Sequence, residues 1–487
     1  MSHVLRDHTV MSDVHEQEME TGRPLKADQV DGSTTSTPDM HGLPCSSQST
    51  TSPSGEGSGL LSLPWEMVTQ IASHLPAQCV ISVLPKVCQA LGNVGEDRNA
   101  WRRRAGRLTG SRVRFPVGPR EGYDWPKACL EMEDLITCWA DQADWEERGD
   151  KQGLLDALEG RMREGADPRL DRGEATVGVV EAEPLRAPSP PPALERVPLP
   201  SGHYAQVNSV LLIGGEGAVC ASGSRDTNVN LWDLRGAWDA APCALRGPGL
   251  TSSHRGWVWC LASQGPLLAS GSFDSTIRLW DLGAGGAARG LISTSAPVLC
   301  LSCQTDVLLA GTFNKTISLY DTRVAEPLVK SLQLHGKAVM CLAADERYII
   351  SGSQDYTVAI YDRRAGKTLK RLRLRSYLLS MCYQDGEVWA GDNKGTIHAF
   401  SVRSGVLKPL SQFDVGHTSL VTGIHKSPGS LYTCSSDRTL KVHIPCAPPR
   451  TLCTLNYQEG VSGLSVEAGV LAVASGETSV EVWRPRR

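Results

Sequence analysis

Three histidines beyond residue 200 are each followed, 20 to 23 residues later, by an aspartate: His203 and Asp226, His254 and Asp274, His335 and Asp355. A histidine held by a carboxylate is the pairing that general-base catalysis uses. Each pair also has a serine and an aromatic at fixed places. The first set is His203, Ser222, Asp226 and Trp232; the second is His254, Ser270, Asp274 and Trp280; the third is His335, Ser351, Asp355 and Tyr361. A pair repeated this regularly has one repeated job, and structural hydrogen bonding fits that better than three active sites. Cys300 and Cys303 stand at C-x-x-C spacing, but no second pair follows at zinc-site distance, so they read as core thiols. There is no G-x-x-x-x-G-K-[ST] phosphate loop and no G-x-S-x-G nucleophile elbow. The chain is therefore not expected to be an enzyme, and no metal or cofactor is expected.

What positions these residues is a repeat. SGSRDTNVNLWDL begins at Ser222, SGSFDSTIRLWDL at Ser270, AGTFNKTISLYDT at Ala310 and SGSQDYTVAIYDR at Ser351. Weaker copies begin at Ala390, Thr433 and Ala474. The turn residue steps through Asp226, Asp274, Asn314, Asp355, Lys394, Asp437 and Glu477, at gaps of 39 to 48 residues. That period matches four-stranded propeller blades. Within each copy apolar residues alternate, as in Val229/Leu231 and Ile277/Leu279, which is the period of a strand.

The repeats resemble the WD repeat family, which places a Gly-His ahead of a Trp-Asp. Gly202-His203 precedes Trp232-Asp233, His254 precedes Trp280-Asp281, His335 precedes Tyr361-Asp362, and Gly416-His417 precedes a degenerate His443. The resemblance implies a buried His–Ser/Thr–Asp–Trp network in the matching blades. Blades three, five and seven lack the His, so their turns are expected to be less rigid. The chain stops soon after the third strand of blade seven, and Leu194–Leu199 is expected to supply the missing fourth.

Residues 60–108 differ in kind. Leu63-Pro64 opens a helix whose Met67, Ile71 and Leu75 fall on one face. Pro76 and Pro85 cut the following helices short, and Asp97 caps another that presents Trp101. About 45 residues is too few to hide such a stripe, so a partner is expected. The segment resembles an F-box through Leu63, Pro64, Ile71, Leu75, Val87 and Trp101, although Leu91 stands near where that family often has a Trp. That resemblance implies docking on the Skp adaptor, and through it on a cullin. The whole chain is then similar to F-box/WD-repeat proteins. These are α plus all-β multidomain chains with a small helical F-box module and helical linker followed by a seven-bladed WD-repeat β-propeller. The expected segments are 1–58, 60–106 (F-box), 107–165 (helical linker), 166–195 (Pro-rich linker) and 196–487 (propeller).

The implied function is substrate recognition for a cullin-based SCF-type ubiquitin ligase; a WD-repeat scaffold outside any ligase is the alternative. Arg225, Arg255, Trp257, Trp259, Phe273 and Tyr377 are the expected substrate-binding residues. They are Arg and aromatic side chains at the turns on one propeller face, and strand alternation is expected to bury one of the two tryptophans. Arg363, Arg364, Lys367, Lys370, Arg371, Arg373 and Arg375 crowd a predicted outer strand. Such charge blunts an edge or docks an acidic or phosphorylated partner.

Composition sets the outer bounds. The chain has 487 residues, 40% hydrophobic and 21% charged, with net charge −4. That balance does not favour a nucleic-acid binder, and no run is long and apolar enough to span a membrane. Fifteen scattered cysteines fit a reducing compartment, cytoplasmic or nuclear. Residues 1–58 are expected to be a disordered acidic tail rich in Ser and Thr, with nine acidic side chains among residues 1–59 against Arg6, Arg23 and Lys26.

Overall fold

The computed structural model describes residues 60–110, 113–118, 121–140, 142 and, with short breaks, 193–486. The expected acidic tail, the second half of the helical linker and nearly all of the Pro-rich linker lie outside the described residues.

The described residues from 193 onward form seven antiparallel four-stranded sheets, the blades of a propeller. Each of the first six uses four consecutive strands. The seventh is completed from the other end, as expected: Leu194–Pro198 pairs with Val480–Pro485 as the outermost strand, Leu194 opposite Pro485 and Pro198 opposite Glu481. Salt bridges from Arg196 to Glu481 and from Arg484 to Glu195 flank that seam. The ring thus begins at Leu194, and closure removes an edge that would otherwise be open to foreign strands.

The repeated Ser-Gly or Ala-Gly of the second strands has a packing cause. A Cβ on Gly223 would lie 2.5 Å from a methyl of Val258, and one on Gly391 would lie 2.3 Å from a methyl of Val421. Only glycine lets the first strand of the next blade come this close. The cores sit between blades accordingly. Ala269, Ile277 and Leu279 of blade two pack with Leu301, Leu308 and Tyr320 of blade three.

Turns between second and third strands put a non-glycine residue in the left-handed region, Thr227 at φ 72°, Ser275 at 63°, Lys315 at 77°, Tyr356 at 65° and Arg438 at 70°. Such a residue costs on the order of 1–2 kcal/mol. In four of these turns the preceding Asp offsets it by accepting a backbone bond two residues on, as Asp226 Oδ1 does from the Asn228 N–H at 2.9 Å; before Lys315 stands Asn314.

Among the described residues ahead of the ring, five short helices come first: α1 (Trp65–Ala72), α2 (Ala77–Ser82), α3 (Leu84–Val87), α4 (Gln89–Gly92) and α5 (Arg98–Thr109). Prolines 64, 76 and 85 sit at the starts of α1, α2 and α3, where a missing N–H leaves no gap. Asp97 caps α5 by accepting from the Asn99 N–H at 2.8 Å. A sixth helix, α6, runs through residues 125–140. The inner faces of α1–α5 pack on α6, and α6 packs on blade six and the closing blade through Trp139, Tyr432 and Trp483.

Candidate docking surfaces

The His–Asp sets are structural, and blades one, two, four, five and six each build their own version. Blade two holds the full expected network. His254 reaches Asp274 at 3.1 Å and Ser270 at 2.7 Å, and the Trp280 N–H donates to Ser270 at 2.9 Å. In blade one His203 reaches Asp226 at 2.8 Å and Ser222 at 2.6 Å. Trp232 departs from expectation there. Its ring packs 6.0 Å from His203, but its indole N–H finds no hydrogen-bond partner among the described residues. In blade four His335 reaches Ser351 at 2.7 Å but turns to Thr357 at 2.9 Å, leaving Asp355 at 3.5 Å. Tyr361 leaves the network as well: its hydroxyl accepts from Lys330 Nζ of blade three at 2.7 Å.

Blade six carries a set that the degenerate sequence concealed. His417 reaches Asp437 and Thr433, both at 2.9 Å, and His443 takes the place of the Trp, 3.0 Å from Thr433. Blade five lacks the His ahead of the first strand but supplies one from its third. His398 reaches Asp392 at 2.9 Å, and the Ser376 hydroxyl donates to the same carboxylate.

These networks make the ring acid-sensitive. Burial pushes the His443 pKa down to about 3, and it lowers those of His254, His335 and His417. Burial opposes the charge on Asp437, but the Thr439 hydroxyl, the Thr418 N–H and His417 outweigh it and hold that carboxyl at about 2. In both cases the unfolded chain binds protons that the folded one refuses, so stability rises with pH and is lost on acidification. The histidine part is lost as pH drops below about 6.5, the aspartate part below about 4. Thermal unfolding at pH 5 is expected several degrees below that at pH 7.5; equal midpoints would mean that the histidines are not held neutral.

Cys300 and Cys303 cannot chelate together. Cys300 packs toward blade four and Cys303 toward blade two, on opposite faces of one strand.

One backbone bond, repeated in six blades, defines a propeller face. The N–H of the turn between second and third strands donates to the carbonyl at the entrance of the first strand. Arg225 donates to Gln206, Phe273 to Trp257, Phe313 to Pro297, Gln354 to Ala338, Asn393 to Tyr377 and Ser436 to Leu420, at 2.9–3.1 Å. Arg225, Trp257, Phe273 and Tyr377 therefore share a face. The Arg225 guanidinium lies 5.0 Å over Trp257, and Phe273 lies 5.8 Å from Trp257 and 5.7 Å from Trp259. Neither tryptophan is buried, contrary to expectation. Val258 between them takes the buried side of the strand, so both stay half-exposed with Phe273 between them. Arg225 and Trp259 also line a central channel of about 710 Å³. Arg255 is exposed beside this cluster, its backbone N–H donating to Asp274. Tyr377 belongs to a separate pair with Tyr356, ring centres 5.9 Å apart.

Phe313, 48% exposed, lies on the same face and escaped the sequence reading. It holds in blade three the position of Phe273, and aligning TFN with SFD would have found it.

The helical module has two sides. Inside, Val68, Ala72, Val80, Leu84 and Trp101 join α6. Trp101 is thus a core residue and does not belong with the surface expected to meet an adaptor. Its N–H donates to the Gly95 carbonyl at 2.8 Å, and Arg104 lies over its ring. Outside, Ile71, Leu75 and Val87 are exposed, Val87 by 63%, together with Trp65, Met67, Ile81 and Val83. Pro64 is exposed as well, while Leu63 is half-buried against the core. Arg104 fixes the end of α1: it donates to the Ala72 carbonyl at 3.1 Å and pairs with Glu133 of α6.

A ring of seven blades with a helical module fastened to it defines a WD-repeat propeller protein with an appended helical module. The family model "WD domain, G-beta repeat" matches residues 196–233, 249–281, 326–362 and 407–443. These are blades one, two, four and six, the four in which a His ahead of the first strand reaches a Ser or Thr hydroxyl. The crystal structure of the WD40 β-propeller domain of Doa1 covers 60% of this chain and 96% of its own, at 21% identity and a TM-score of 0.51, a likeness of fold. F-box/WD repeat-containing protein 9 of Bos taurus is 42% identical over 429 residues, 88% of this chain and 82% of that protein. The Homo sapiens protein of the same name is 40% identical over the same shares. The chain belongs to the F-box/WD repeat-containing protein 9 family.

Proposed function

We propose that this protein is the substrate receptor of an SCF-type ubiquitin ligase, with residues 60–106 as an F-box on a Skp-type adaptor and the propeller face of Trp257 and Phe273 as the substrate dock. The observation that carries the reading is the exposed apolar face of α1–α3 on a module fastened to the ring. So many large apolar side chains on a body this small need a protein partner. The attachment supports it. Glu131 of α6 accepts from the Ser427 hydroxyl and the Gly429 N–H of blade six, and the Tyr123 hydroxyl donates to the Pro428 carbonyl. The chain's own contribution is positional: it raises the effective concentration of a target lysine near the loaded conjugating enzyme, while other subunits do the chemistry.

The test is co-purification of the full-length chain with a Skp adaptor, against a Leu63→Ala/Pro64→Ala control. Absence of the adaptor would leave the scaffold reading. The propeller arm makes its own prediction. Trp257→Ala/Phe273→Ala is expected to strip the protein of co-purifying substrates while adaptor binding stays intact, since aromatic anchors dominate such surfaces. Substrates retained by that variant would move the dock elsewhere.

A further inference from the structure

The outer strand of blade four, Lys367–Arg373, differs from the other six outer strands. It carries four Lys or Arg in seven residues, KTLKRLR. The outer strands Leu194–Pro198, Ala287–Ser293, Leu328–Leu332, Val406–Asp414 and Arg450–Asn456 carry one each, and Cys243–Leu245 none. Val406–Asp414 also holds Pro409, which removes an N–H.

The charges are ordered. In the pairing with Thr357–Asp362, Arg371 stands opposite Ala359 and Arg373 opposite Thr357. Ala359 belongs to the core shared with blade three, so both arginines face the cleft toward that blade. Leu369, Leu372 and Leu374 pack against the core shared with blade five. Lys330 of blade three stands across the cleft, bonded to Tyr361. Lys367, Lys370, Arg371, Arg373 and the following Arg375 are exposed, and none forms an ion pair among the described residues. The strand is the last in its sheet, and among the described residues no strand pairs with its outer edge.

We propose that this edge is a second docking site, which takes up an extended acidic segment of a partner protein by strand addition, its carboxylates two residues apart over Arg371 and Arg373. The backbone edge supplies the hydrogen bonds, and the period-two arginines select the spacing, because side chains on one face of a strand recur every second residue. Charges facing across a strand pair lie close enough for charge-assisted bonds. The proposal is independent of the ligase reading and lies on the rim of the ring, apart from the Trp257 cluster.

The experiment uses the full-length protein and two labelled peptides of about a dozen residues with the same composition. One alternates Glu with Thr; the other gathers the Glu into one block. Fluorescence anisotropy is expected to show the alternating peptide binding at least about fivefold more tightly, and Arg371→Glu/Arg373→Glu weakening it at least about tenfold. Trp257→Ala/Phe273→Ala should leave peptide binding unchanged. If the Glu pair impairs folding, Arg371→Gln/Arg373→Gln takes its place. Equal binding of the two peptides, no binding, or binding that survives loss of the arginines would overturn the proposal and leave a charged rim that keeps propellers from pairing edge to edge. Tighter binding of single-stranded RNA or of anionic phospholipid vesicles than of the alternating peptide would overturn it too.

Discussion

Leu75→Asp is expected to abolish adaptor binding by the full-length protein while leaving its thermal unfolding essentially unchanged. Leu75 follows α1 and is 39% exposed, so the change removes little from the folded core. In a complex the balance reverses. Burying a leucine is worth roughly 1.5–3 kcal/mol, and a carboxylate trapped without a partner costs several more. A combined loss above about 4 kcal/mol is roughly a thousandfold in affinity. Val87→Asp should act alike, because Val87 is among the most exposed of the module's apolar side chains. Trp101→Ala is the contrast. It empties the core against α6 and should cost about 3–5 kcal/mol of stability, lowering the unfolding temperature before it alters any surface. Titration calorimetry and thermal melts on the three variants separate the two effects. Full adaptor affinity in the Leu75→Asp/Val87→Asp double variant would end the F-box reading.

The ring was legible in the sequence because its cause is local and repeated. Gly223, Gly271, Gly311 and Gly391 of the second strands mark places where a Cβ would strike the next blade, and each turn Asp answers a left-handed residue behind it. Even the closing strand at Leu194 followed from counting three strands where four are needed. What escaped is where two of the networks are assembled from other parts. Asp392 sits two residues earlier than the usual turn carboxylate, and its His398 arrives from the third strand. His443 fills a Trp position through Thr433 and Thr451 rather than by size. Spacing rules read positions, whereas hydrogen bonding needs only that donor and acceptor meet. Trp101 failed for a different reason. Helical spacing puts it on an apolar face but does not say whether that face meets a partner or, as here, α6. The same ambiguity hid the role of Pro428-Gly429, which reads as a plain turn until the helix lying on it is seen.

Gly429→Val is expected to uncouple the two surfaces without damaging either. A Cβ at this position would lie 2.5 Å from the Ala128 carbonyl oxygen, 2.6 Å from Glu131 Cβ and 2.8 Å from the Met132 nitrogen. Two of these are backbone atoms of α6, which no side-chain rotation can move aside. The helix must lift, and the bonds from Gly429 and Ser427 to the Glu131 carboxylate go with it. Forced overpacking of this kind costs about 1–3 kcal/mol, and the lost bonds add to it. The blades keep their networks, and the outer face of α1–α3 keeps its residues, so adaptor and substrate binding measured separately should persist. Hydrogen exchange across residues 125–140 should speed up at least about tenfold, since α6 would lose the surface that holds it closed. Ubiquitin transfer in a reconstituted ligase should fall by a similar factor, because a lysine held at a wandering distance from the conjugating enzyme loses the benefit of fixed orientation. Gly429→Ala should show the same pattern, since its Cβ alone makes the three contacts. Unchanged exchange in α6 would mean that the turn yields instead of the helix. Faster exchange with undiminished transfer would show that rigid attachment of the module does not set the rate.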